Sequence, residues 1–271
     1  MRKIKVLQVI SSSNIGGGEK VVSSIIKYLN RDKFEVSVAC PEDGYMFANF
    51  MEYANDIKTF DFKHWINLKT ILSLKRYMKE KEFDVIHTHL YNADFLGLIS
   101  SWFAGISCRV STIHGYNFNK TGRFDFRSIK NFFFSFIYRA IYIFNDAVVA
   151  VSEAVKKDLL RRPGFKVQER KLYLVYNGID LDEMIKLDNV GVDKIEDMYD
   201  PNFKFAGVIA NFDRIKGHDV LLKAIPDIIK QVDNVKFIFA GKGEEEKHLK
   251  RMVTKLKIKK NVIFLGMLEN I

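Results

Sequence analysis

Three consecutive glycines, Gly16, Gly17 and Gly18, precede Glu19 at the point where an apolar run gives way to a helical pattern. Glycine lets a backbone come close to a ligand, and a helix that starts there offers unpaired N–H donors and partial positive charge to an anion. The same turn also serves simply to join a strand to a helix. His114, in STIHG, follows a β-branched run; it is either a partner for a ligand or a satisfied structural histidine. Lys216 stands before Gly217 in DRIKG, as an anion ligand or a solvated charge. His87 and His89, in HTH, would point to one face of a strand. That geometry permits a metal pair, but no acid or cysteine lies at ligand spacing, so no metal is expected. His218 and Asp219 read as the start of a helix, with Asp219 suiting its N-terminal turn.

Two nucleotide fingerprints fail. A dinucleotide turn needs a third glycine and an acid about 20 positions on. Val21 occupies the third glycine's place, and Cys40 and Pro41 follow the second strand where the acid should be. The phosphate loop with a Gly-Lys-Ser/Thr ending is also absent. A nicotinamide oxidoreductase and a P-loop ATPase are both disfavoured.

The elements that must position these residues follow an alternating plan. Short apolar runs at Ile4–Ile10, Phe34–Ala39, Asp84–His87, Arg109–Ile113, Ala147–Val151 and Leu172–Tyr176 read as strands, followed by Lys204–Ala210, Lys236–Ala240 and Val262–Leu265. Helical periodicity lies between them: Val21, Val22, Ile25, Ile26 and Leu29 after the first run, and Leu221, Ile225, Ile228, Ile229 and Val232 after Lys204–Ala210. Pro226 should kink the latter helix. Strands buried on both faces and joined by helices imply a parallel, doubly wound α/β sheet. The apolar signal fades across DLDEMIKLDNVGVDKIEDMYDPN. The expected division is therefore 1–185, a linker at 186–203, and a second domain at 204–271. Three strands are few for a doubly wound domain, so the second domain is expected to be incomplete.

Composition narrows the class. The chain has 271 residues, 48% hydrophobic and 28% charged, which suits a globular protein with a large core. Its 43 Lys and Arg against 33 Asp and Glu leave a net charge of +10, which favours anionic partners without choosing among them. Two cysteines, Cys40 and Cys108, form no framework, and a reduced cytosolic setting is the simplest reading. No window reaches the ~20 apolar residues of a spanning helix. The stretch 116–144 interleaves Phe and Tyr with Lys120, Arg123, Arg127, Lys130 and Arg139. Such a segment suits an anionic membrane surface or the wet face of a packed helix. Nucleic acid is not expected, since no binding motif accompanies it.

The motifs then resemble, in collinear order, the family 4 glycosyltransferases of the GT-B fold. GGGEKVV resembles that family's glycine turn, and FDVIHTHL and STIHG resemble its next strand ends. VAVSEAVKKDLL, LVYNGID, IANFDRIKGHDVLLKAI, FAGKGEEEKHL and NVIFLG continue the match. The resemblance implies two facing Rossmann-like domains, the second incomplete, and metal-independent transfer of a hexosyl-type sugar with retention of configuration. The co-substrate would be a nucleotide sugar, with no other cofactor. The acceptor would be a polysaccharide or lipid-linked saccharide, on the cytoplasmic side and peripheral to the inner membrane face.

Carried over by residue, Gly17 and Gly18 would lie against donor phosphates or acceptor, and His114 would bond a donor-sugar hydroxyl. Lys216 would pair with the diphosphate. Gly241 and Gly243 would let the backbone approach the nucleotide, and Gly266 and Met267 would meet the base. Asn211 stands where the family often has a second cationic clamp, with Arg214 nearby as the compensating charge. No catalytic base is assigned. The family's acidic donor loop would follow NVIFLG and is expected to be missing. The rival expectation is a non-catalytic remnant that binds acceptor or partner alone.

Overall fold

A computed structural model describes residues 2–64, 66–115, 142–161, 167–181 and 200–268. Contacts divide the chain into two units, Met1–Ile179 and Asp180–Ile271. The first unit runs β1 (Ile4–Ile10), α1 (Gly17–Tyr28), β2 (Phe34–Cys40), α2 (Phe47–Tyr53), β3 (Asp56–Thr59), α3 (Leu68–Lys81), β4 (Val85–His89), α4 (Tyr91–Ala104) and β5 (Cys108–Ile113). It continues with β6 (Ala147–Ala150), α5 (Glu153–Arg161) and β7 (Leu172–Leu174). These form one seven-stranded parallel sheet in the order β3-β2-β1-β4-β5-β6-β7.

Alternation along the strands distributes their side chains between two cores. On β1, Leu7 and Val9 face one core with Ile86, Leu74, Met78, Leu96 and Leu98 from β4, α3 and α4. Val6 and Ile10 face the other core with Val22, Ile26 and Phe50 from α1 and α2. Each fully buried aliphatic side chain removes enough apolar surface for about 1.5–3 kcal/mol. Local signals close the helices. Asn67 caps α3 by accepting from the Thr70 N–H at 3.2 Å. Ser152 does the same for α5, accepting from Val155 N–H at 3.2 Å. Gly105 ends α4 in the left-handed conformation, φ 79°.

The second unit contains β8 (Lys204–Ile209), a 3₁₀ turn at Arg214–Lys216, α6 (His218–Ile228), β9 (Val235–Ala240), α7 (Glu246–Lys255) and β10 (Val262–Gly266). Its parallel sheet has the order β10-β9-β8 and three strands among the described residues. Phe212, Leu222, Ile225, Phe237, Phe239, Leu249 and Val253 form its core.

The expected strands are all present, β1 with its expected bounds and the others with shifted ends. β4 starts one residue later and runs two further than expected, through Thr88 and His89. Backbone pairing with β1 and β5 carries the polar triplet His87-Thr88-His89 that lacks an apolar strand signature. β3 was not expected: DIKT at the sheet edge is too short and too polar to show alternation. α6 stops at Ile228, two residues past Pro226. Ile229 and Val232 nevertheless pack on the core from beyond its end. The aromatic, basic stretch 116–144 lies outside the described residues as far as 141, and the expected linker as far as 199.

Candidate active site

In the first sheet the strand order reverses between β1 and β4: α1 leads from β1 to one side, and α4 leads from β4 to the other. The carboxyl ends of strands at such a reversal leave a crevice, where open α/β sheets bind ligands. The glycine turn, His89, Leu90 and His114 all lie at this position in the fold.

Gly16 stands before the first turn of α1 in extended backbone, φ −162°. Glu19, in the first turn, is 7% exposed, and its carboxylate folds back over Gly16 so closely that a side chain there would collide with it. Gly17 is exposed with open space around it. Gly18 is buried, and a Cβ on it would lie 3.3 Å from Leu90 Cδ2 and 3.6 Å from the His114 ring. The fold therefore brings two of the expected site residues, Gly18 and His114, into contact distance.

His114 belongs to a cluster of three imidazoles. His87 and His89 share one face of β4, and their ring centroids lie 4.2 Å apart; the His89 and His114 rings lie 5.4 Å apart. His87 Nε2 is 2.7 Å from Thr112 Oγ1 on β5. His89 Nδ1 is 3.1 Å from His114 Nε2, and His89 Nε2 is 2.8 Å from Gln8 Oε1 on β1. His114 Nδ1 is buried and has no hydrogen-bond partner among the described residues.

Burial disfavours the charged imidazolium. It pushes His114 down to about 4, and His87 down to about 4 with help from the neighbouring His114. His89 is held well below its ordinary value by burial and then by His87 and His114. The cluster is therefore neutral at pH 7 and works through hydrogen bonds. His87 Nε2 is directed to Thr112 and both ring nitrogens of His89 to Gln8 and His114, and among the described residues no group of three or more His, Cys, Asp or Glu is arranged to hold a metal ion.

Leu90 completes the wall. It precedes α4 with φ 71° and ψ 155°, a region that side chains rarely enter and that costs about 1–3 kcal/mol. Its carbonyl accepts the first helical bond, from Asp94 N–H at 2.9 Å. Behind it, on the other face of β4, Thr88 Oγ1 donates to Asp94 Oδ1 at 2.6 Å and lies 2.7 Å from Ser111 Oγ, fixing β4, α4 and β5 together.

The second unit gathers the remaining expected residues at the carboxyl ends of its own strands. Asn211, Arg214 and Lys216 are exposed on the segment leaving β8. Lys216 N–H donates to Asp213 O at 3.0 Å, and Gly217 takes the left-handed conformation, φ 72°, that turns the chain into α6. Asp219 lies in the first turn and pairs with Lys223 at 3.0 Å. Gly241, φ 150°, and Gly243 pack against protein backbone. A Cβ on Gly241 would overlap the Ala210 carbonyl, and one on Gly243 would come within 2.6 Å of Phe212 O. Gly241 N–H donates to Gly266 O at 2.7 Å, and Phe212 N–H donates to Lys242 O at 2.8 Å. Gly266 and Met267 are half-buried at the end of β10, Gly266 with φ 73°.

Sequence reasoning missed Gln8 and Leu90 and saw His89 only as a rejected metal ligand. The two-residue spacing of His87 and His89 was the available signal. The Gln8 contact spans 81 residues and shows no local pattern.

Comparisons with known proteins identify the family and the fold. The model named Glycosyltransferase Family 4 matches residues 15–183, and that named Glycosyl transferases group 1 matches residues 197–271. One relative is the UDP-Gal:alpha-D-GlcNAc-diphosphoundecaprenol alpha-1,3-galactosyltransferase of Escherichia coli, 24% identical over 97% of this chain and 69% of that protein. The O-antigen biosynthesis glycosyltransferase WclY of Escherichia coli is 25% identical over 98% of this chain and 69% of its own length. Among solved structures, Anabaena Alr3699/HepE in complex with UDP-glucose superposes with a TM-score of 0.74 at 21% identity, over 98% of this chain and 69% of that one. A crystal structure from Listeria monocytogenes named "putative UDP-N-acetylglucosamine 2-epimerase" superposes with a TM-score of 0.66 at 9% identity, over 98% of this chain and 70% of that one. Likeness at this level shows the fold alone, and activity must be argued from the residues.

Proposed function

The chain belongs to glycosyltransferase family 4, and from that premise we propose that it moves a hexosyl-type sugar from a nucleotide-sugar donor to a saccharide acceptor with retention of configuration. The observation that carries the reading is His114: a neutral imidazole with a buried nitrogen that has no partner among the described residues, beside Gly18 at the reversal of strand order. A sugar hydroxyl is the natural partner for such a nitrogen.

The Glu19 carboxylate folded over Gly16 refines the role of the glycine turn. A carboxylate at the start of α1 already occupies the positive end of the helix. Donor phosphates would be repelled there, so Gly17 and Gly18 suit the neutral hydroxyls of a sugar. The anionic diphosphate falls to Lys216 and Arg214, with Asn211 as a neutral donor. As the glycosidic bond breaks, the leaving nucleotide gains charge, and a fixed ammonium lowers the barrier by meeting it. This reading requires no metal. Gly241, Gly243, Gly266 and Met267 would frame the nucleotide through the strand ends that carry them.

A polysaccharide or lipid-linked acceptor is supported by the relative whose acceptor is a diphosphoundecaprenol-linked sugar. Such an acceptor would place the protein in the cytoplasm, at the inner membrane face. Among the described residues no helix is long and apolar enough to cross a membrane. The test is a nucleotide-sugar screen that reads nucleotide release, with His114→Ala and Lys216→Ala in parallel. Release that both substitutions abolish supports the proposal. Binding of acceptor with no release from any donor would favour the non-catalytic alternative.

A further inference from the structure

The hydrogen bonds around His89 have a direction. A glutamine Oε1 only accepts, so the proton between Gln8 and His89 sits on His89 Nε2. A neutral imidazole carries one N–H, so His89 Nδ1 is an acceptor and takes its hydrogen from His114 Nε2. His114 then keeps no proton on Nδ1, the buried nitrogen without a partner among the described residues. We propose that Gln8 and His89 are positioning residues that fix His114 in its Nε2–H form, so that its Nδ1 accepts a hydrogen bond from a hydroxyl of the sugar bound beside Gly18.

This inference rests on the transferase reading and adds a chemical requirement to it. The group facing His114 must supply a hydrogen: a sugar with a free hydroxyl satisfies it, whereas a deoxy or O-methylated sugar at that carbon does not. Three features keep the arrangement in one state. Burial holds all three imidazoles neutral, so no second proton reverses the direction. The His87 ring packs tilted against His89, with centroids 4.2 Å apart, and is itself fixed by Thr112. β1 and β4 are hydrogen-bonded neighbours in register, with Gln8 opposite His87, which sets Gln8 diagonally across from His89.

The test labels histidine ring nitrogens in the full chain and reads, by two-bond proton–nitrogen correlation, which nitrogen of each ring carries hydrogen. His114→Gln identifies the His114 signals. The expected result is a protonated Nε2 and a bare Nδ1 in the unaltered chain, and a mixture of the two forms in Gln8→Leu. A protonated Nδ1 in the unaltered chain overturns the inference. Turnover gives a second reading. His89→Leu should lower kcat about tenfold, the loss of one aligned hydrogen bond, with donor KM changing less than about threefold. His89→Asn places an amide oxygen where Nδ1 was and should recover most of that loss. Equal kcat in His89→Leu and the unaltered chain also overturns it. Absence of nucleotide release from every donor would refute the transferase reading instead, and the nitrogen spectra would still decide the direction of the chain of bonds.

Discussion

Acid should destabilise the first unit through its histidines before Asp56 takes part. Burial, aided at His87 by the neighbouring His114, holds His87 and His114 at about 4, and His89 lies well below its ordinary value. The unfolded chain accepts protons that the folded state refuses. The stabilisation is therefore complete above about pH 6.5 and is lost as the pH falls toward about 4. At about pH 5 an unfolded histidine is almost fully protonated and one with a folded value of about 4 only about one-tenth so, which amounts to roughly 2 kcal/mol for each of His87 and His114. Together they remove about 3–4 kcal/mol, a large share of the ~5–15 kcal/mol that keeps a domain folded. Asp56 is net lowered because hydrogen bonds from Lys81 and Tyr77 outweigh its burial, so its loss begins only below about pH 4. Both tryptophans, Trp65 and Trp102, fall within Met1–Ile179, so their fluorescence reports on this unit alone. Urea midpoints followed by that signal should drop steeply between about pH 7 and about pH 5. Equal midpoints, or a His87 or His114 ring titrating near its ordinary value in the folded chain, would refute the reasoning.

Other perturbations test separate parts of the structure. Gly241→Ala combines an unfavourable φ with overlap on Ala210 and should destabilise the second unit by about 3 kcal/mol or more; Gly207→Ala, in open space, is the matched control in the same denaturation measurement. Leu90→Gly should cost under about 1 kcal/mol, because relief at φ 71° offsets lost packing, whereas Leu98→Ala in the core should cost about 2–5 kcal/mol by urea unfolding. Lys216→Ala should lower transfer about hundredfold or more at unchanged thermal stability, in an assay of nucleotide release. Gly18→Val should press on the His114 ring and Leu90, and steady-state kinetics should show kcat falling more than the unfolding midpoint shifts.

Much of the frame was legible because buried parallel strands are written as apolar runs: β1 matches its expected bounds, and the other expected strands shift by one or two residues. The signal failed where composition and pairing part company. Thr88 and His89 are strand because β1 and β5 flank them, and Asp56–Thr59 is strand because β2 offers an edge. At the site, the glycine turn and His114 were visible from their positions at strand ends. Their contact, and the partners of His89, depend on which strands are neighbours, and strand order is not a local property. The glycines of the second unit show a different limit. The family resemblance marks Gly241 and Gly243 for approach to the nucleotide, while the structure shows the backbone of Ala210 and Phe212 packed against them.

That last arrangement has a consequence for redesign. Ala210 and Phe212 lean on Gly241 and Gly243, and Gly241 in turn bonds to Gly266, so the exits of β8, β9 and β10 interlock like links of a clasp. A residue exchanged in one exit shifts the backbone of the other two. On the proposed reading, in which these exits frame the nucleotide, a change of donor preference is expected to need all three exits exchanged together rather than single substitutions.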